Sequence, residues 1–467
     1  MNDRLLGLYH RLPAAVQSLA AGIYGLRLRW WRYGPETDRL VEQALERETW
    51  TAERWQDWQQ ERAARVLTRA ATRVPYYRAQ WEERRRRGDR ASWEALDNWP
   101  LLDREAVRAN PRAFLADDCD PRRMFGEHTS GTTAKPLELW WSRDTVRQWY
   151  ALFEARFRCW HGVSRRDRWA NIGGQLVTPV EQRRPPFWVW NPALRQLYLS
   201  SYHLAPDLIP HYLEAIRRCG VRYLFGYTSS LYALAQGALR LRRRDWRLQV
   251  VITNAESLYP YQREAIARAF GCPVRETWGM AEIVAAAGEC QHGRLHLWPE
   301  VGNVEERDGE LICTGLLNQD MPLVRYRLGD RGTLAAPQDR CACGRGLPLL
   351  ESLEGRADDV LYTADGRQVG RLDPVFKSLL PIIEAQIIQE TLDRLRVRYV
   401  PAQGFEPGVE RALAERLHSR LGPMQIVFEA LPEIPRERNG KFRAVVCRLP
   451  AAQRAHAHRH THSVLPA

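Results

Sequence analysis

Lysine occurs at only three positions in this chain, Lys135, Lys377 and Lys441, and arginine supplies nearly all the other positive charge. A lysine kept in such a background stands out, because a compact ammonium on a flexible stem does what a planar guanidinium cannot. Lys135 closes the segment His128-Thr-Ser-Gly-Thr-Thr-Ala-Lys135, which packs hydroxyls, one glycine and an ammonium into eight positions. Gly131 allows close backbone approach, the amides around it can cradle an anion, and Ser130, Thr132 and Thr133 add hydroxyl donors. Together these suit a nucleotide polyphosphate. The segment is not the Walker pattern, which needs two glycines and a Gly-Lys-Ser/Thr ending. Lys441 ends a second polar segment, Pro435-Arg-Glu-Arg-Asn-Gly-Lys441, whereas Lys377 has no motif around it and reads as a surface residue.

Two carboxylates close further segments, Glu282 in Thr277-Trp-Gly-Met-Ala-Glu282 and Asp330 in Tyr326-Arg-Leu-Gly-Asp330. Taken singly, Glu282 reads equally well as a solvated helix start and Asp330 as a turn residue after Gly329. A separate group, Cys290, His292, His296, Cys341 and Cys343, combines a Cys-x-Cys with a distant Cys and His. That supplies the four soft ligands of a tetrahedral zinc, with His292 and His296 competing for one place.

The elements that must position these groups alternate. The first ~110 residues have helical periodicity, with Leu5, Leu6, Tyr9, Leu12, Val16 and Leu19 on one face. Trp30 and Trp31 follow among Arg27, Arg29 and Arg32, so this face suits either packing on a larger domain or lying on a membrane surface. Strands are expected over Val221–Phe225, Leu248–Thr253 and Val274–Thr277, each followed by a loop and the first two by helices. Strand, loop and helix in repetition predict a mostly parallel sheet, whose ligands sit beyond the carboxyl ends of the strands. Asp308-Gly309 predicts a hairpin between Asn303–Glu306 and Glu310–Thr314. After Gly355 the pattern becomes a small α+β domain with strands Arg394–Val400 and Gln425–Ala430 and a helix near Val409–Leu421.

At 467 residues the chain suits a large domain plus a smaller one. No segment has the uninterrupted apolar length of a membrane span, and no secretory leader is recognisable, so a cytoplasmic protein is expected. The net charge of +13 allows attraction to phosphates or to an anionic membrane face. No zinc finger, RRM or other nucleic-acid module is visible, so nucleic acid is not expected as a partner.

The ordered segments resemble those of the adenylate-forming superfamily, the acyl-CoA synthetases and their relatives. The hydroxyl-rich segment resembles the phosphate loop, and Thr277–Glu282 the loop carrying a metal-binding glutamate. Tyr326–Asp330 resembles the segment whose aspartate holds the ribose hydroxyls, Gly355-Arg-Ala-Asp-Asp359 the interdomain hinge, and the Lys441 segment the one with the catalytic lysine. The branch it looks most like is the phenylacetate–CoA ligase-like group, including CapK and coenzyme F390 synthetase-like proteins. Val74-Pro-Tyr-Tyr77 and Cys341-Ala-Cys-Gly-Arg345 fit that group too. Two departures stand out. Ala134 replaces the usual glycine of the phosphate loop, and Tyr362–Gly370 lacks the usual glycine-rich turn lining a pantetheine tunnel.

The resemblance implies an α/β fold: a large N-terminal adenylate-forming domain with mixed and parallel sheets and helices, plus a small α+β C-terminal domain. The expected divisions are a helical region over residues 1–110 packed on the large domain, the rest of that domain over 111–355, a mobile domain over 356–450, and a disordered histidine-bearing tail over 451–467. ATP-dependent adenylation of an aryl or fatty acid is implied, followed by acyl transfer, first of all to CoA. The alternatives are an amide- or ester-forming ligase without CoA, in polysaccharide or secondary-metabolite synthesis, and a non-catalytic scaffold at a membrane surface. Lys441 and Glu282 would be catalytic, Glu282 through Mg²⁺. ATP would be held by Ser130, Gly131, Thr132, Thr133, Lys135, Ala255, Glu256, Trp278, Asp330 and Arg356. Tyr227, Asn254, Gly279 and Met280 would line the acid pocket, and Asp358 and Asp359 would form the hinge. Within the resemblance His296 is preferred over His292, giving structural Zn²⁺ on Cys290, His296, Cys341 and Cys343. Partners would be a small carboxylic acid and CoA or another acceptor; peripheral contact with the inner membrane face and a homodimer are both compatible with the sequence.

Overall fold

Helices dominate the N-terminal part because its apolar residues recur at helical spacing and its breaks carry capping chemistry. In the computed structural model α1 spans Ala14–Arg32, α2 Thr37–Arg47, α3 Ala52–Arg73 and α4 Pro75–Arg86. The Thr51 hydroxyl accepts from the Arg54 amide and so caps α3. Val74 is extended (φ −95°, ψ 115°), as the residue before a proline prefers, and Pro75 opens α4 where its missing N–H is harmless. Tyr77 is buried there and its hydroxyl accepts from the Val324 amide at 3.0 Å, tying the helices to the larger core. A short helix α5 (Arg104–Ala109) follows. The described residues are 9–10, 12–128, 137–175, 177–179, 182, 184–204, 207–356, 361–363, 368–369, 381–406, 408–435, 443–450 and 453.

The next elements are strands β1 (Phe125–His128), β2 (Glu138–Trp141), helix α6 (Arg143–Phe153), β3 (Trp169–Gly173), β4 (Trp188–Asn191) and β5 (Gln196–Ser200). Three strand–helix repeats follow: helix α7 (Ile209–Arg218), β6 (Tyr223–Tyr227), α8 (Thr228–Arg240), β7 (Val250–Asn254), α9 (Pro260–Phe270) and β8 (Val274–Gly279). The hairpin-rich stretch then supplies β9 (Ala286–Glu289), β10 (Leu295–Leu297), β11 (Gly302–Arg307), β12 (Glu310–Gly315), β13 (Tyr326–Leu334) and β14 (Leu349–Arg356).

β1 and β2 pair with each other, and β3 to β14 form one twelve-stranded sheet, ordered β11-β12-β13-β14-β10-β9-β8-β7-β6-β3-β5-β4. β5, β3, β6, β7 and β8 are parallel neighbours, and their apolar runs are buried as in a helix-covered sheet. From β8 through β9 and β10 to β14 the pairing is antiparallel. β11 and β12 are joined through Asp308 and Gly309, both at positive φ (52° and 74°), as the hairpin expectation required.

The chain divides into two compact units. One contains residues 1–255, 265–328 and 332–353; the other contains 256–264, 329–331 and 354–467. The second holds a four-stranded sheet, β19-β18-β17-β20, built from β17 (Ile382–Thr391), β18 (Arg394–Pro401), β19 (Gln425–Ala430) and β20 (Val445–Cys447). A two-stranded pair, β15 (Leu361–Tyr362) with β16 (Gln368–Val369), and helix α10 (Gly408–Leu421) complete its described elements. Ile387, Leu395, Val397, Leu413, Leu417 and Val445 form its core. The tail from residue 454 on lies outside the described residues, as does Lys377.

Candidate functional site

The parallel strands deliver their carboxyl ends to one edge of the sheet. Tyr227 and Asn254 end β6 and β7 and are paired neighbours in register. The Thr277 hydroxyl donates to the Thr253 carbonyl at 2.7 Å and fastens β8 to the end of β7. Two residues past the expected strand end, Trp278 and Gly279 remain in β8, because β9 pairs with them opposite Ala287 and Ala286. Trp278 is only 6% exposed and belongs to the main core, whereas Gly279 is exposed and Met280 half-buried. Asn254 Oδ1 is buried without a hydrogen-bond partner among the described residues. An orphan acceptor of this kind fits a ligand group that donates to it.

Glu282 lies just beyond β8 and is 6% exposed. Tyr326, wholly buried at the start of β13, donates its hydroxyl to Glu282 Oε1 at 3.1 Å. Arg104 at the start of α5 places a guanidinium nitrogen 3.6 Å from the same oxygen. Both contacts fall on Oε1 of the carboxylate. A carboxylate so placed suits a hard cation such as Mg²⁺. The segment after Glu282 is seated by a close backbone approach: a Cβ at Gly302 would stand 1.8 Å from the Val284 carbonyl oxygen, so only glycine fits.

Three of the six non-glycine residues at positive φ among the described residues lie beside these groups. Ala255 (φ 63°), Ile283 (φ 44°) and Arg325 (φ 49°) are non-glycine residues in the left-handed region. They adjoin Asn254, Glu282 and Tyr326 respectively. Each costs on the order of 1–3 kcal/mol, and such residues cluster at functional sites.

Of the other expected nucleotide residues, Glu256 and Asp330 are half-buried and group with the second unit, and Arg356 is the last residue of β14. Ser130, Gly131, Thr132, Thr133, Lys135, Asp358, Asp359 and Lys441 lie outside the described residues. Sequence reasoning missed Arg104 and the role of Tyr326. Tyr326 heads the very segment read for its aspartate, while nothing local marks Arg104.

The cysteine group comes together. The β9–β10 hairpin carries Cys290 and His296, with the Cys290 amide bonded to the Arg294 carbonyl at 3.0 Å. β10 also pairs with β14, His296 opposite Leu349, and so draws in the preceding loop with Cys341 and Cys343. One ligand atom from each of Cys290, His296, Cys341 and Cys343 lies within 4.8 Å of all the others. Cys290 Sγ is 3.6 Å from Cys341 Sγ, and Cys343 Sγ is 3.4 Å from His296 Nε2. An ideal zinc tetrahedron has edges of about 3.8 Å between sulfurs and about 3.6 Å from sulfur to nitrogen. These residues fit a zinc ion. His292 is exposed and offers only its amide, which donates to Cys290 Sγ at 3.4 Å. Burial, aided by Arg345, pulls the His296 imidazole down to about 4, so at neutral pH the ring keeps its lone pair. Burial pushes the Cys341 thiol up to about 11; at Cys343 burial is outweighed by the Arg345 amide and guanidinium, which bring the thiol below its ordinary value.

A buried charge network supports this loop. Arg345 donates to Glu48 Oε2 at 2.9 Å, and the Gly346 amide to the Glu48 carbonyl at 2.7 Å. Glu48 Oε1 also accepts from Trp160 at 2.8 Å and Arg156 at 3.3 Å. Arg156, wholly buried, forms two 2.8 Å bonds to Glu300, which Arg47 meets at 3.0 Å. Burial raises the Glu48 carboxyl; at Glu300 it is overcome by Arg156, which holds that carboxyl below its ordinary value.

Comparison with known proteins agrees with this architecture. Residues 361–448 match the model of the CapK C-terminal domain. Protein CapK of Staphylococcus aureus is 25% identical over 378 residues, which cover 75% of this chain and 80% of that protein. A phenylacetate–coenzyme A ligase of Thermus thermophilus is 28% identical over 130 residues, 24% of this chain and 29% of that one. The solved structure of 2-hydroxyisobutyryl-CoA ligase in the postadenylation state with R3-HIB-AMP aligns with a TM-score of 0.64 at 19% identity, covering 89% of this chain and 94% of that one. The resemblance to the CapK and phenylacetate–CoA ligase-like branch is borne out, and the fold is similar to that of 2-hydroxyisobutyryl-CoA ligase.

Proposed function

We propose, for a chain with this fold and a CapK-type C-terminal domain, that it activates a carboxylic acid with ATP and passes the acyl group to CoA. In the first step a carboxylate oxygen attacks the α-phosphorus. The bond to the bridging oxygen breaks, and pyrophosphate leaves. In the second step a thiol attacks the acyl carbon, loses its proton, and expels AMP. Both first-step reactants are anionic, so the protein's task is alignment and charge neutralisation.

The observation that carries this reading is Glu282, a buried carboxylate held through one oxygen beyond the carboxyl ends of the parallel strands. Glu282 is the residue that would hold Mg²⁺, and a bound Mg²⁺ would offset phosphate charge. The orphan Asn254 Oδ1 and exposed Gly279 support a ligand at the same sheet edge. Ser130, Gly131, Thr132, Thr133 and Lys135 are assigned to the polyphosphate, Glu256, Asp330 and Arg356 to the nucleoside side, Lys441 to the carboxylate and α-phosphate, and Asp358 and Asp359 to the hinge. Zinc on the Cys/His group would be structural, since four protein ligands leave no open position.

Pyrophosphate release and hydroxamate trapping over a panel of aryl and fatty acids test the first step. Lys441→Ala should abolish acyl-AMP formation. A panel that releases no pyrophosphate with any acid would overturn the reading. Mass spectrometry with and without CoA then separates thioester formation from transfer to another acceptor.

A further inference from the structure

Among the described residues, six of the eight most exposed large apolar side chains lie on α1: Val16, Leu19, Ile23, Tyr24, Leu26 and Trp30, at 41, 64, 63, 52, 59 and 50%. Five of them, Val16, Leu19, Ile23, Leu26 and Trp30, are spaced alternately by three and four residues, so they form one continuous stripe along the helix. The same helix is already anchored by its opposite side. Gln17, Gly22, Gly25, Leu28 and Trp31 are buried. A Cβ at Gly25 would collide with the Asn191 side chain at 2.1 Å, so the glycines let α1 lie directly on the end of β4. Gly22 and Gly25, with Leu28 and Trp31, thus do the packing that sequence periodicity assigns to the apolar stripe, and the stripe itself faces out.

The charges around the stripe favour one occupant. No acidic residue occurs between Asp3 and Glu36, whereas Arg27 and Arg29 are exposed beside the stripe. Arg143 stacks its guanidinium 3.3 Å from the centre of the Trp30 ring. Two such helices packed against each other would bring like charges together with no acid to pair them. Anionic headgroups would pair them, while the apolar stripe enters the acyl boundary and Trp30 and Tyr24 sit at headgroup depth. No described helix is long and apolar enough to cross a membrane.

We propose that α1 is an in-plane anchor that seats the protein on an anionic lipid surface through Val16, Leu19, Ile23, Leu26 and Trp30, with Arg27 and Arg29 contacting the headgroups. This assignment does not rest on the catalytic reading.

The test is co-sedimentation of the full-length protein with vesicles of phosphatidylcholine alone or mixed with phosphatidylglycerol. The wild type should bind the mixed vesicles, less so as salt is raised. Leu19→Ser with Ile23→Ser should weaken binding by about tenfold or more, because two apolar side chains no longer enter the lipid. Arg27→Glu with Arg29→Glu should remove the preference for the anionic vesicles. A control pair, Leu101→Ser with Leu241→Ser, takes exposed apolar surface from elsewhere and should bind as the wild type. All these side chains are exposed, so thermal unfolding should be unchanged, and an unfolding shift identifies a folding defect. Binding to neutral vesicles equal to that to anionic ones, or full binding by the folded Leu19/Ile23 variant, would overturn the proposal. So would a wild-type dimer that the same variant turns into a monomer, since a second copy would then own the stripe.

Discussion

Arg156→Met tests whether the buried charge network supports the cysteine loop. Arg156 is 0% exposed and has two 2.8 Å bonds to Glu300 and one of 3.3 Å to Glu48. Methionine keeps much of the volume and removes the charge. Breaking a buried ion pair from one side costs about 3–5 kcal/mol, because the partner charge is stranded. Here neither partner is stranded completely. Glu300 keeps Arg47 at 3.0 Å, and Glu48 keeps Arg345 at 2.9 Å and Trp160 at 2.8 Å. The loss should therefore lie near the lower end, about 3 kcal/mol. The loop itself hangs on the Arg345 and Gly346 bonds to Glu48, which this substitution leaves in place. Zinc content should then stay near one ion per chain. Glu48→Gln, by contrast, weakens the Arg345 contact directly and should lower zinc affinity by about 10–100-fold, as loss of an outer-sphere partner does. Urea unfolding followed by tryptophan fluorescence reads the first effect, and zinc retention during titration with a competing chelator reads the second. A stability loss under about 1 kcal/mol for Arg156→Met would refute the stranded-charge argument. Equal zinc loss in both variants would refute the claim that Glu48 is the point of suspension.

Tyr326→Phe removes the hydroxyl at 3.1 Å from Glu282 Oε1 but keeps the buried ring; a hydrogen bond to a charged group contributes about 1.5–3 kcal/mol, so pyrophosphate release should fall about tenfold or more. The Mg²⁺ concentration for half-maximal rate should also rise, and an unchanged Mg²⁺ dependence would deny Tyr326 a positioning role. Gly302→Ala would put a Cβ 1.8 Å from the Val284 carbonyl oxygen, so thermal unfolding should show a loss of about 3 kcal/mol or more, and wild-type stability would refute the close approach. His161 is pulled down to about 3 by burial, with Arg275 and Arg345 adding to it, from an ordinary value of 6.5. The unfolded chain takes up that proton first, so this contribution is full above about pH 6.5 and is lost as the pH falls toward about 3. His161→Asn should flatten part of the acid side of the stability profile, and identical profiles for the two proteins would contradict the shift.

The elements that position the site were legible because their signals are local. β-branched and aromatic runs marked β6, β7 and β8 within two residues at their starts, Asp308-Gly309 marked the hairpin, and the strands and helix of the second unit fell nearly where periodicity placed them. The continuation of β8 through Trp278 and Gly279 was not legible, because it depends on pairing with β9. Nor was the orientation of α1. Periodicity finds an apolar stripe but cannot say whether the stripe or the glycine face is buried, and here Gly22 and Gly25 decided it. The Cys/His group was legible from residue type, and the preference for His296 over His292 that the resemblance implied agrees with the β9–β10 register. Glu48, Arg156 and Glu300 carry no motif and meet only in three dimensions.

The strained residues show why the remaining partners resist sequence reading. A left-handed Ile283 is unfavourable by itself, and its own side chain is buried, so the conformation must be held by its surroundings. The holders are visible. Val284 is locked against Gly302, Glu282 is tied to Tyr326, and Arg325, itself left-handed, is fixed by its Nη1 bond to the Trp99 carbonyl at 2.8 Å. Each comes from a segment distant in the chain, and none has a residue type that announces the task. A carboxylate presented at a fixed place thus depends less on Glu282 itself than on a glycine, a tyrosine and an arginine whose types are ordinary. The same division holds at the cysteine group, where the ligands are recognisable and the Glu48 carboxylate that suspends them is not. In both places residue type marks the atoms suited to a ligand, and only packing reveals the atoms that hold them still.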